Sequence, residues 1–327
     1  MDRTDLLAAQ DEIRLAKRAD LKVAKDRNAE LLALLKPVPE KFLLALTIHL
    51  AVWFACALLI AFTDSILVHI VAVLIMGNQL HTFTVLQHDC GHQSAFRSRT
   101  LNKWFGRALA AFIVFPYTAF TECHKRHHRY LGDPEKDPDE WHYTDGVKWL
   151  FVRIALFVPR FTYLSMVRYG NKVRNAVLAE LAVNLTIAVA LFALFIWQGL
   201  IYEFVLIFVL PLLLLALVIN PISRGYEHYP MATLPSDDEG RLDLAKNTIT
   251  VTSRLFGLIW ANINYHVEHH AYPAVPFCNL PKLARLMADK EFLRDRWVLE
   301  RAFANSPPAE EDSSLVADTR PADNHVK

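Results

Sequence analysis

The sequence predicts an all-α integral membrane protein: four transmembrane helices in two hairpins, under a cytoplasmic helical cap. Three observations carry this. Hydrophobic residues make up 53% of the 327-residue chain and collect in uninterrupted runs rather than in the mixed pattern of a water-soluble domain. Four of those runs, at about 42–63, 65–87, 178–197 and 200–220, carry almost no charge and are long enough to cross the ~30 Å hydrocarbon core as helices. The histidines gather in short clusters that follow or flank these runs.

The chain begins MDRTDLLAAQDEIR, charged and without an early apolar stretch, so no cleavable signal peptide is expected. Residues 1–41 read as an N-terminal cytoplasmic segment. Leu6, Leu7, Ile13, Leu15, Leu21, Leu31 and Leu32 are interleaved there with Lys17, Arg18, Lys22, Lys25 and Arg27, an amphipathic helical pattern that Pro37 and Pro39 end. The membrane domain covers 42–304. Asp64 marks the turn between the first two runs. Gly77, Asn78, His81 and Thr82 make the second half of the second run polar, which suits an end facing protein or a cavity rather than lipid.

Residues 88–175 are mixed. Trp104–Phe120 and Trp149–Tyr163 are apolar but contain Arg107, Arg153, Arg160, Pro116 and Pro159, and read as interfacial or re-entrant helices. Gly132–Asp139 is a loop. Gln198-Gly199 is the turn of the second hairpin. Residues 305–327 form a polar, disordered tail.

Four spans place both termini and every histidine cluster on one side. Fourteen Lys and Arg lie between 88 and 175, whereas the short connectors at Asp64 and Gln198-Gly199 hold none, so the positive-inside bias makes that side cytoplasmic. A bacterial inner membrane is the expected location. The balance of 35 basic and 34 acidic residues gives no reason to invoke nucleic acid. Four scattered cysteines suggest neither a disulfide framework nor a zinc ribbon.

The chemistry lies in three boxes: His88-Asp-Cys-Gly-His92, His124-Lys-Arg-His127-His128 and His266-Val-Glu-His269-His270. Spacings of three and four residues put imidazoles on one helix face. Neutral imidazole is the usual protein ligand for iron, zinc and copper. A single such pair is weak evidence, and His49, His69 and His142 read as hydrogen-bonded structural residues. Eight histidines routed to one membrane face exceed the four or so ligands of a zinc site and suit two iron ions with room for O2. Ligating imidazoles usually donate their second N–H to a carboxylate or carbonyl, which makes Asp89, Glu122, Asp137, Glu227 and Glu268 candidate supports. Asn264 could bond a metal-bound water or cap a helix. Gly91 allows close backbone approach, and Cys90 and Cys123 read as small core fillers.

HDCGH, HKRHH and HVEHH resemble the three histidine boxes of the membrane fatty acid desaturase superfamily. The stretch NYHVEHHAYPAVPFCNLPKL looks like the third-box region of its bacterial branch, which includes acyl-lipid desaturases, dihydrorhizobitoxine desaturase-like proteins and carotenoid ketolases. The resemblance covers roughly residues 42–290. It implies a non-haem di-iron centre, O2 as oxidant, a lipid or fatty acyl substrate, and His88, His92, His124, His127, His128, His266, His269 and His270 as ligands. Arg224-Gly-Tyr-Glu-His228 is similar to a motif at the same place in family members, which would make His228 a further ligand. The expected reaction is desaturation of an acyl chain held in an apolar tunnel.

The same centre would serve a hydroxylase or ketolase on a lipid or carotenoid. A histidine-rich metal transporter is the alternative from another class, though it would want its ligands inside the spans. No HPGG-like haem-binding stretch, GxGxxG or CxxC occurs, so electrons are expected from a separate ferredoxin, rubredoxin or cytochrome.

Overall fold

The computed structural model describes Val23 and residues 25–229, 231, 247–251 and 254–287. Most of the N-terminal amphipathic segment and the whole 305–327 tail lie outside these residues. After the short helix α1 (Asn28–Leu34), four helices among the described residues are long and apolar enough to cross a membrane: α2 (Pro39–Phe62), α3 (Ile66–Gly91), α8 (Asn171–Trp197) and α9 (Ile201–Gly225). The all-α reading with two hairpins is borne out, and no β-strand occurs among the described residues beyond an isolated bridge between Thr250 and Tyr265.

Local chemistry sets the ends. Pro39 opens α2, where its missing N–H has no helical partner to lose. Gly199 takes φ +74° at the turn between α8 and α9, a conformation costly for residues with a Cβ. Pro211 interrupts the ladder of α9, which runs as π-helix over Val205–Val209 and Leu215–Ile219.

Burial separates the spans. Half of the most apolar window of α3 is buried, against 17% for α2 and for α8. The latter two present apolar side chains outward, Phe62 and Trp197 among the most exposed. Thus α3 is the central helix, and its polar second half faces protein. Asn78 donates to the Ile259 carbonyl and accepts from the Trp260 indole, while Thr82 also bonds Ile259. Of the histidines expected to be structural, His49 bonds Gln79, and His69 bonds Tyr202 and the Thr63 carbonyl.

Between the hairpins lie α4 (Arg99–Phe112), α5 (Tyr117–Tyr130), α6 (Val147–Ala155) and α7 (Phe157–Arg168). Ser98 caps α4 by accepting from the Leu101 amide, and Pro116 precedes the first turn of α5. Helices α6 and α7 bend by 64° at Leu156, the geometry of a re-entrant loop or broken span. After α9 come α10 (Arg254–Ile259), α11 (His266–Ala271) and α12 (Leu280–Leu286), the last packed on α1. Helix α5 can lie close to the end of α3 because residue 91 is glycine: a Cβ there would sit 3.3 Å from Thr121 and 3.4 Å from Phe120.

Candidate metal centre

Four separate pieces of chain bring nine histidines to one end of the helix bundle. The last turn of α3 carries His88, and His92 caps it. Helix α5 supplies His124, His127 and His128; α9 continues helically to His228; α11 supplies His266, His269 and His270. They sort into two neighbouring groups. His88, His92, His124, His128 and His269 converge with ligand atoms within 4.8 Å of one another. His127, His228 and His270 form the second group at the same spacing, and Glu227 and His266 join through His228. The sorting follows helix geometry. His124 and His128, four apart, share a face of α5, whereas His127 is turned about 100° from His128 and points to the other group.

The donors suit a metal of nitrogen preference. The Nε2 of His124 lies 2.9 Å from Nε2 of both His92 and His128, and His269 Nε2 is 3.0 Å from His128 Nε2. A neutral imidazole nitrogen offers one hydrogen or one lone pair, so such a chain cannot be satisfied by imidazoles alone. Both ring nitrogens of His88 and of His270 are buried with no hydrogen-bond partner among the described residues. A cation accepting lone pairs from each group resolves both features.

Electrostatics favour the neutral, ligating form. Burial, and then the charges of Lys125 and His127, push His92 down to about 3. Burial and neighbouring imidazoles hold His124, His128, His266, His269 and His270 well below the ordinary histidine range, and burial with His127 does the same for His228. His127 differs. Burial pushes it down, but the Asp137 carboxylate against its Nδ1 outweighs this and raises it.

The supporting groups orient individual rings. Asp137 meets His127 Nδ1 at 3.1 and 3.2 Å and is itself held by the backbone N–H groups of Gly132 and Asp139. His228 donates from Nδ1 to the Asn247 carbonyl at 2.7 Å, leaving Nε2 for the group. Glu227 lies 3.7 Å from His266 Nε2, and burial lifts its carboxyl to about 8 although Arg224 opposes this. Asp89 accepts from the Phe277 amide and sits 4.0 Å from His88, so it ties the third-box region to the first.

Other candidates turn elsewhere. Glu268 accepts from the Thr250 hydroxyl, which in turn accepts from the Val267 amide, so it braces α11 rather than a ring. Asn264 donates to the Val251 carbonyl and fixes the approach to α11. Glu122 pairs with Arg126 and Lys125 on the outer face of α5, because those cations stand one helical turn away. Cys90 and Cys123 are buried fillers.

Sequence reasoning missed Asp139, Asn247 and Thr250. Asp139 is fully buried and binds Arg224; His142 Nδ1 lies 2.7 Å from its Oδ1 and 3.1 Å from its backbone carbonyl, which takes the hydrogen bond. Burial alone would raise its pKa, but Arg224 and His142 hold it well below the carboxylate range. His142 is therefore structural, as expected, yet belongs to the charged layer beneath His127. The loop motif Asp-Pro-Glu-Lys-Asp-Pro-Asp was visible, but nothing local marks Asp139 as the partner of an arginine 85 residues away.

A cavity of about 300 Å³ opens beside the histidines. Phe115, Phe120, Phe157, Leu212 and Leu215 give it apolar walls, and the π-helical stretch from Leu215 lines one side.

Residues 64–301 match the fatty acid desaturase family model. The chain belongs to the fatty acid desaturase family. Within the family, it is 33% identical over 229 residues to a sphingolipid delta(4)-desaturase/C4-monooxygenase of Rattus norvegicus, covering 65% of this chain and 63% of the rat protein. An sn-1 oleoyl-lipid 12-desaturase of Arthrospira platensis is 26% identical over 227 residues, covering 62% of this chain and 64% of that one. A sphingolipid delta(4)-desaturase of Homo sapiens is 29% identical over 222 residues, covering 64% and 62%. The chain thus spans somewhat less than two thirds of the length of these desaturase relatives.

Proposed function

We propose that this protein is a membrane-bound oxidoreductase that desaturates a lipid acyl chain at a histidine-ligated di-iron centre. One observation carries the reading: nine imidazoles, seven buried and two (His92 and His128) half-buried, divide into two adjacent groups beside a largely apolar cavity, in a chain of the desaturase family. His88, His92, His124, His128 and His269 would hold one iron. His127, His228, His266 and His270 would hold the other, with Glu227 at its edge. Such a pair of irons, when bound, supplies the activation of O2 that removes hydrogen from an unactivated carbon.

The rest falls to the chain. The cavity walls exclude water and set two adjacent methylenes beside the histidines, which is where selectivity between bonds arises. Asp137 and the Asn247 carbonyl fix the orientation of His127 and His228. Overall, one CH2–CH2 unit becomes CH=CH and O2 becomes two waters. Two of the four electrons and two protons come from the substrate. The other two electrons come from a separate donor, a ferredoxin, rubredoxin or cytochrome, with two protons from solvent. The excess of Lys and Arg between 88 and 175 supports a cytoplasmic histidine face.

Oxygen insertion is the second reading, supported by the desaturase/C4-monooxygenase pairing in the printed name of the rat relative. Membranes of a host expressing the intact protein, incubated under ¹⁸O2, separate the two. An unlabelled alkene absent from a His269→Ala control supports desaturation. Label retained in a hydroxylated product overturns it in favour of oxygen insertion, and identical lipid profiles with and without His269 overturn both.

A further inference from the structure

The wall that α3 contributes to the cavity carries polar side chains that serve neither histidine group. His81, Thr84 and Gln87 line it from α3 beside His88, while the other elements add phenylalanine and leucine side chains together with Asn220, Arg224, Glu227 and further histidines. Gln87 is 1% exposed, and among the described residues neither its amide oxygen nor its amide nitrogen meets a partner. His81 is 3% exposed; its ring lies 5.4 Å from Trp260, and its Nδ1 has no partner among the described residues either. Thr84 directs its hydroxyl hydrogen to the His81 carbonyl and relieves neither of them. None of the three belongs to the metal groups.

Buried polar atoms left unpaired are costly, and a saturated hydrocarbon chain in this cavity would leave them so. We propose that the cavity takes a chain bearing a hydroxyl or amide close to the carbons that react, and that Gln87 and His81 hold that group. The inference rests on the desaturation reading and narrows its substrate class. The Gln87 amide both donates and accepts, so it can pair with a hydroxyl or with an amide. It stands one residue before His88. His81 stands seven residues before His88, ~10 Å along the helix, so the polar group lies within that distance of the histidine-facing carbons. A site built to hydrogen-bond a substrate group discriminates strongly against the analogue that lacks it.

The test pairs phosphatidylcholine carrying octadecanoyl chains with its 3-hydroxyoctadecanoyl counterpart and with an N-octadecanoyl amino alcohol. Internal competition in membranes holding the full-length protein reads the ratio of kcat/KM values, which cancels differences in folded protein and electron supply. Native mass spectrometry of the purified full-length protein reads retention of the same three lipids without turnover.

The expected result is a preference of about tenfold or more for at least one polar lipid in both measurements. Gln87→Met, close in volume, and His81→Phe should each bring the ratio towards unity while the plain chain is still bound. Equal retention of all three lipids, or a preference unchanged in both variants, overturns the proposal. Selective retention without turnover of any of the three supports the polar site and counts against the desaturation reading instead.

Discussion

Nδ1 of His127 lies 3.1 Å from Oδ1 of Asp137, and both side chains are wholly buried. That contact fixes which ring nitrogen turns towards the second histidine group and makes it more electron-rich. Asp137→Asn keeps the shape but removes the charge. The expected outcome is a loss of about 10–100-fold in metal affinity, read by chelator competition on the purified protein, with helix content unchanged by circular dichroism.

His269 and His270 are neighbours in sequence that serve different groups. His269→Ala removes one of five imidazoles from the first group, and His270→Ala removes one of the smaller second group. Elemental analysis of each variant should show iron falling by about half or more, since an incomplete nitrogen set holds a borderline metal poorly. His49→Ala, outside both groups, should retain the full complement.

Arg224 and Asp139 join the end of α9 to the loop beneath α5. Removing one member of a buried ion pair leaves the other uncompensated. Asp139→Asn should therefore destabilise the protein by about 3–5 kcal/mol, seen as a lower unfolding temperature in detergent. Arg224→Gln added to Asp139→Asn should recover part of that loss, a coupling that independent sites would not show.

Glu140 supplies a pH dependence away from the histidines. Burial first, and then the carboxylates of Asp137 and Asp145, lift its carboxyl from 4.5 to about 7. Between those values the folded chain keeps a proton that the unfolded chain has lost. Stability therefore falls as pH rises through this window, and the loss is complete above it. Glu140→Gln should flatten that slope and raise the unfolding temperature at pH 8, by an amount on the order of 1 kcal/mol once partial solvent screening is allowed for.

The spans and the three boxes were legible because their signals are local: uncharged runs of membrane length, and imidazoles at helical spacing. The protein-facing second half of α3 also showed in the polar residues from Gly77 to Thr82. Partners contributed by distant chain were not legible. Asp137 was one of five carboxylates that spacing alone could not rank, and only the fold turns Glu122 outward to Arg126 while Asp137 turns inward. Asn247 offers a backbone carbonyl to His228, a role that no side-chain pattern announces. The apolar side chains expected of a substrate tunnel are present at Phe115 and Leu215, and the Gln87 side chain that α3 adds to the cavity was not anticipated.

Helix α11 is only six residues long, yet it delivers an imidazole to the first group and two to the second. Neither group can close until residue 270 has been synthesised and docked against α5. Under the di-iron reading the two sites would also be tied in occupancy. A first ion that stiffened this turn would spare the next ion that ordering cost and let it bind more readily. Loading should therefore run towards empty or doubly filled protein, with the singly filled form the rarest species in a titration.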